Sequence, residues 1–438
     1  MQAVDLLINP HWIAPVLPRN TLHTDCSIVV DQGNIIGILP SEEAKRKYSP
    51  KKTFDLPQHL VIPGLVNAHG HAAMTLLRGF ADDLPLLSWL NDHIWPAEGR
   101  WVSEEFVRDG TELAIAEMIR AGTTCFSDMY FFPDQVAEMA RTAGIRAQIA
   151  FPILDFPTAW ARDADEYLHK GLQLRDTYKN SENLKIAFGP HAVYTVSQQP
   201  LEQLAMLAGE LDSCIQIHLH ETAQEVDEFR DKNGVRPIQL LADIGLLSPL
   251  TQCVHMTQLN DADIELVQQF NASIVHCPHS NMKLASGIFP FKQVNDRGIN
   301  IALGTDGAAS NNGLDLFSEM KAAALLAKVS SNEATSLSAN QALEMATINS
   351  ACALGMDDRI GSIETGKSAD LVAIDLSGIE SQPLYNPVSQ IVYTESASKV
   401  SHVWCQGKAL LEEKELQTLN RHEILTKAKY WQTKIAAS

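Results

Sequence analysis

The sequence holds no C-x-x-C pair, no uncharged apolar stretch of membrane-spanning length and no surplus of positive charge, and each absence excludes a class of protein. Its cysteines number seven (Cys26, Cys125, Cys214, Cys253, Cys277, Cys352 and Cys405), an odd and widely spaced set. Such a set reads as reduced thiols rather than as a disulfide framework or a zinc ribbon. Lys and Arg total 34 against 53 Asp and Glu, a formal net charge of −19. An acidic surface of that size repels duplex nucleic acid and anionic membranes, so neither is expected as a partner. A neutral or cationic small molecule fits better. The segment Met1-Gln2-Ala3-Val4-Asp5 lacks the basic start and apolar run of a secretory leader, and the expected location is cytoplasmic. Neither a solenoid-period repeat nor a low-complexity tract is present.

What the chain does have is a regular alternation. Short β-branched runs at 61–68, 123–129, 145–152, 185–190, 213–218, 251–255, 272–277 and 299–304 alternate with amphipathic stretches at 104–121, 134–143, 159–178, 199–212 and 261–270. Alternating units of this kind build a parallel sheet, and eight of them predict an α/β fold, a (β/α)8 barrel of the TIM type, over residues 59–361. The flanks differ. Residues 1–58 and 362–415 hold short alternating strands punctuated by turns, as where Gln32-Gly33-Asn34 joins two apolar runs. Neither flank buries a face alone, so the two are expected to pair as one small β-sandwich, with residues 416–438 a C-terminal helix.

The apolar run from Leu60 to Ala68 ends in His69-Gly70-His71. Residues i and i+2 of a strand project to the same side, so both imidazoles are expected to point into the space above the C-terminal end of the first barrel strand. An isolated H-x-H pair is a weak signal. Here His191 follows the fourth run, His218 and His255 end the fifth and sixth, and Asp306 follows the eighth. Singly, each reads more simply as a satisfied histidine or a capping aspartate. Such groups at five of eight strand ends point instead to one metal site, because convergent imidazoles and a carboxylate suit a divalent metal such as zinc. The run Val275-His276-Cys277-Pro278-His279-Ser280-Asn281 is also rich in donors, but its spacing does not fit a closed zinc site, and it reads as structural.

Several segments carry a resemblance. Pro63–His71, Thr75-Leu76-Leu77-Arg78-Gly79-Phe80-Ala81-Asp82-Asp83-Leu84, Trp95-Pro96-Ala97-Glu98, His218-Leu219-His220-Glu221-Thr222 and Gly304-Thr305-Asp306-Gly307-Ala308-Ala309-Ser310-Asn311-Asn312 together resemble the amidohydrolase superfamily. More closely they resemble its 5-methylthioadenosine/S-adenosylhomocysteine deaminases, over nearly the whole chain. The resemblance implies one divalent metal, zinc, held by His69, His71, His218 and Asp306. It also implies that His255 bonds the attacking water rather than the metal. Binuclear relatives carry a bridging lysine on strand four; His191 stands near that position, which implies the mononuclear type.

The chemistry of such a family suits these residues. Attack on C6 of an aminopurine needs a nucleophile stronger than water, and a bound divalent cation lowers the pKa of water from about 15.7 to about 7. Glu221, three residues after His218, is the candidate proton shuttle to the ring, with Asp306 moving the water proton to the departing ammonia and His255 orienting the nucleophile. The expected substrate is a small aminopurine nucleoside, 5′-methylthioadenosine or S-adenosylhomocysteine, and a homo-oligomer is compatible with the sequence. On the nucleoside side the resemblance implies Glu98 for the ribose diol, Trp89 as a wall and His191 as a further contact. Read without the family, Glu98 is a solvated loop acid and Trp89 a core side chain. Arg162 is the one candidate for the amino-acid tail of S-adenosylhomocysteine. Two other readings stay open: a deaminase of another ring (guanine, 8-oxoguanine, cytosine or triazine), and a barrel that holds metal without catalysis. A free base offers no diol to Glu98, and a merely metal-holding barrel has no use for Glu221 or His255.

Overall fold

The computed structural model describes residues 1–437. Eight parallel strands follow one another around a barrel: β1 (Leu65–Asn67), β2 (Thr123–Asp128), β3 (Arg146–Ile153), β4 (Leu184–Pro190), β5 (Ile215–Leu219), β6 (Thr251–His255), β7 (Ser273–His276) and β8 (Ile301–Leu303). Each pairs in parallel with the next. The edges of β1 and β8 meet through Ala68 N–H donating to the Leu303 carbonyl at 2.9 Å, so the cylinder closes next to the histidine pair. Every one of the eight expected runs overlaps one of these strands, with ends that differ by a few residues. Their residues are apolar on both faces because helices cover the outside while the barrel interior fills with side chains.

The expected first run is shared between two sheets. Residues 61–63 belong to the long strand Tyr48–Pro63, which pairs antiparallel with Leu371–Asp375 and parallel with Gln2–Ile13. Gly64 then carries the chain into the barrel. A Cβ there would come 1.9 Å from Thr124 Oγ1, so only glycine permits the crossing. The two chain ends form one continuous nine-stranded sheet, with Ile8, Ile28, Phe54, Leu371 and Trp404 in a shared apolar cluster. Gln32 and Gly33, both at positive φ (48° and 78°), make the tight turn between Cys26–Asp31 and Asn34–Pro40.

The expected helices are found, with one correction. The stretch 159–178 is helical only over Ala164–Tyr178. Asp163 takes an extended conformation and its side chain accepts the Glu166 N–H, which fixes the helix start there and leaves 159–163 as loop. At the other end of the chain, the helix Arg421–Ala436 docks through Trp431, whose ring lies 5.2 Å from Phe106 and whose Nε1 donates to Asp109 Oδ2 at 3.0 Å. No helix among the described residues is long and apolar enough to cross a membrane.

Candidate metal and nucleoside site

The C-terminal ends of the barrel strands bring the predicted histidines together. His69 and His71 lie just beyond β1 with ring centroids 4.8 Å apart; His218 is in β5 and His255 ends β6. Asp306 stands three residues past β8 with φ 59°, a left-handed conformation that costs a non-glycine residue energy and is held by its surroundings.

Backbone and amide partners fix the imidazole tautomers. His71 Nδ1 lies 2.6 Å from the Met129 carbonyl and His218 Nδ1 lies 2.7 Å from the His191 carbonyl. A carbonyl only accepts, so both Nδ1 atoms carry the hydrogen. Gln216 Nε2 donates to the Ala68 carbonyl at 2.9 Å, which turns its Oε1 to His69 Nδ1 at 2.8 Å. All three rings therefore present bare Nε2 lone pairs toward a common point. His69 and His218 Nε2 are 3.2 Å apart, and Asp306 Oδ1 is 3.4 Å and 3.2 Å from Nε2 of His69 and His71. Two facing lone pairs at that separation repel unless a cation lies between them. Donor atoms of His69, His71 and Asp306 all fall within 4.8 Å of one another, as do those of His69, His218 and His255. This donor set, nitrogen lone pairs plus one carboxylate oxygen with outer partners in place, fits a divalent metal of the zinc type.

Asp306 is held from the other side by Ser280 Oγ and Ser310 Oγ, which donate to Oδ2 at 2.6 Å and 2.8 Å, and by Gly307 N–H to Oδ1 at 2.7 Å. Burial works against its charge, but the neighbouring His69 and His71 imidazoles outweigh burial and keep the carboxyl well below its ordinary range. Burial in turn holds His218 and His255 below the usual imidazole value, hence neutral. Glu221 accepts Ser286 Oγ at 2.9 Å and places its other oxygen 3.7 Å from His255 Nε2. Burial, reinforced by Asp306, pushes Glu221 up to about 8, so it holds a proton at neutral pH.

A cavity of about 300 Å³ opens above this cluster, lined by His71, Trp89, Glu98, His191, His218, Glu221, His255 and Asp306. His69 lies behind them, fully buried. Trp89 and Glu98 reach the cavity from a helical insertion between β1 and β2, Trp89 in the π-helical stretch Trp89–Ile94 and Glu98 in the helix Trp95–Trp101. Glu98 is thus no solvated loop acid: it is 8% exposed, accepts the Tyr130 hydroxyl at 2.6 Å, and is pushed up to about 7 by burial. Trp89 is buried with Nε1 lacking a partner. His191 keeps Nδ1 2.9 Å from Thr195 Oγ1, and burial brings it down to about 3.

Arg162 is not part of the cavity. Its side chain is 81% exposed and bound to Glu166, in the loop just before the helix Ala164–Tyr178. His276 and His279 also stay outside the cluster, His279 bonding Glu319 at 2.9 Å. Sequence reasoning missed the supporting residues Gln216, Tyr130, Ser280 and Asn281. Gln216 and Tyr130 had a usable signal: one is two residues before His218 on the same strand face, the other two residues past the end of β2. Asn281, whose Oδ1 lies 2.8 Å from His255 Nδ1, had none.

The sequence matches the amidohydrolase family over residues 60–410. It is 54% identical over 433 residues to a 5-methylthioadenosine/S-adenosylhomocysteine deaminase of Saccharophagus degradans, covering 99% of this chain and 97% of that one. With a protein of the same name from Teredinibacter turnerae it shares 51% identity over 434 residues, 99% and 98% of the two chains. The crystal structure of an adenosine deaminase from Xanthomonas campestris with bound zinc superposes with a TM-score of 0.98 at 45% identity, covering 100% of both chains.

Proposed function

This chain belongs to the amidohydrolase family, and from that premise we propose that it hydrolyses the exocyclic amine of 5′-methylthioadenosine-type aminopurine nucleosides, releasing the inosine analogue and ammonia. The names of its relatives support the reaction. The observation that carries it is the convergence of His69 and His71 Nε2 on Asp306, with His218 Nε2 3.2 Å from His69 Nε2, beside a Glu221 that burial keeps protonated.

His69, His71, His218 and Asp306 would hold one divalent metal, and the Xanthomonas relative has bound zinc. Bound there, the cation supplies a Lewis acid that makes water nucleophilic at neutral pH. The chain's own groups do the rest. Glu221 gives its proton to N1 of the ring, which draws electrons away from C6. His255, kept neutral, orients the incoming water through Nε2. Asp306, kept ionised, takes a proton from that water as oxygen bonds to C6 and passes it to the amine, which leaves as ammonia. The remaining hydroxyl proton returns to Glu221, closing the balance. Glu98 accepts the ribose hydroxyls, while Trp89 and His191 wall the nucleoside. All seven cysteines are unpaired, which supports a reducing, cytoplasmic location. Metal analysis and ammonia release from a panel of aminopurine nucleosides and free bases test the reading. Turnover of free bases alone would overturn it.

A further inference from the structure

A second cavity, of about 350 Å³, lies at the N-terminal end of the barrel strands, bordered by the start of β4, the residues just before β5 and the segment that follows the helix Ile348–Ala353. Lys185 in this cavity and His191 at the metal cluster stand at opposite ends of β4, about 20 Å apart at the rise of an extended strand. Five cationic side chains and three carboxylates border it, in a chain where acids outnumber bases 53 to 34. Arg146 is committed to Asp370, and Lys179 lies 3.9 Å from Asp176. Among the described residues, Arg175, Lys185 and Arg359 have no carboxylate partner. Neutral groups hold them in place instead. Arg175 donates to the Leu211 carbonyl at 2.9 Å and to Ser213 Oγ at 3.2 Å, Lys185 to the Gly355 and Leu354 carbonyls at 2.9 Å and 3.3 Å, and Arg359 to the Glu182 carbonyl at 3.1 Å. Gly355 makes room for the ammonium, since a Cβ there would come 2.7 Å from Lys185 Nζ. Each guanidinium keeps N–H hydrogens beyond those it spends on these partners. The three carboxylates, Glu182, Asp212 and Asp358, are exposed, where water and salt screen them.

We propose that this second cavity binds a phosphate group, as free phosphate or as a phosphate ester. Cations anchored by carbonyls and left without a carboxylate match a compact oxyanion of charge roughly −2. The planar forks of Arg175 and Arg359 suit its paired oxygens, and Lys185 adds a point charge. A group held there joins the helix Ala164–Tyr178, β4 and the segment leading to the terminal sheet, so it also stabilises the folded chain by linkage. The metal-loaded protein, at pH 8 in about 150 mM sodium chloride to screen unspecific pairing, is titrated by calorimetry with inorganic phosphate and separately with glycerol 3-phosphate. One site per chain is expected, with Kd below about 1 mM. Affinity should fall at least about fivefold in Arg175→Gln and in Arg359→Gln, each of which removes charge-assisted hydrogen bonds. Arg359 is exposed, so its variant keeps the fold even where Arg175→Gln does not, and melting temperatures without phosphate check both. Tighter binding of the ester identifies an organic phosphate as the occupant, equal or weaker binding identifies free phosphate, and both uphold the site. A smaller loss in the folded Arg359→Gln protein means that the ion binds elsewhere, the metal centre included, and overturns the proposal. Absence of binding by either compound up to about 10 mM overturns it as well. Deaminase turnover plays no part in these readouts, so they stand or fall apart from the reaction proposed above.

Discussion

Tyr130 donates its hydroxyl hydrogen to Glu98 Oε1 at 2.6 Å, joining the end of β2 to the helical insertion that precedes it. One oxygen of a buried carboxylate is thereby fixed, and the other is left to face the cavity. Glu98→Ala should weaken binding of methylthioadenosine by the loss of charge-assisted hydrogen bonds, each worth about 1.5–3 kcal/mol. Metal content should not change. The 2′,3′-dideoxy analogue, which never makes the contact, should be almost unaffected. Equal losses of kcat/KM on both substrates would mean that Glu98 only shapes the insertion.

The same pair sets a pH dependence. Burial raises Glu98 to about 7 while the Tyr130 bond pulls it down. Only the ionised carboxylate accepts both ribose hydroxyls, so affinity should be full above the raised value and decline below it. Calorimetry with the inosine product should show Kd weakening up to about tenfold between pH 8 and pH 6. Tyr130→Phe removes a bond that favours the charged form and should move the midpoint upward. A Kd that is flat across that range would show that Glu98 does not titrate against the ligand.

Glu221→Gln is nearly isosteric, and the amide can still accept from Ser286, but it cannot relay a proton. It should keep metal and fold and lose about 10²–10⁴-fold in kcat. A drop of less than about threefold in a variant with normal metal content would remove Glu221 from the proton path.

One metal ion per chain is expected, because the two donor groups of the described residues share His69 and so form one cluster, and no lysine reaches the cavity. His218→Ala should lower both metal occupancy and activity. Elemental analysis giving two ions per chain at full activity would contradict the mononuclear assignment, and full activity in a metal-free preparation would contradict the mechanism.

Away from the cavity, Arg146 of β3 and Asp370 of the terminal sheet form an ion pair at 2.7 Å with both side chains 2% exposed. Arg146 also donates to Ser368 Oγ and the Glu182 carbonyl. Removing one partner strands the other charge in a dry interior, so Asp370→Ala should cost about 3–5 kcal/mol in denaturant unfolding. Replacing both, as Arg146→Met with Asp370→Leu, should recover much of that loss. Comparable instability in the single and double variants would show that the pair is not what matters there.

The sequence by itself determined the barrel and its chemical end. β-Branched runs at regular spacing give parallel strands, and a parallel barrel puts every strand's C-terminal end on one face, so His69, His71, His191, His218, His255 and Asp306 could be assembled without coordinates. Local chain geometry is enough for that. Only the tertiary structure decided which atoms meet. The hydrogens on the imidazole Nδ1 atoms are fixed by carbonyls and amides far away in sequence, Gln216 for His69 and Met129 for His71. Ser280, one of the two serines holding Asp306, comes from a segment that reads as structural. Glu98 became a buried acid because an inserted helix, not a loop, carries it inward. Arg162 went outward because Asp163 caps the following helix. The charge lining a cavity depends on where long side chains end, and chain periodicity does not encode that.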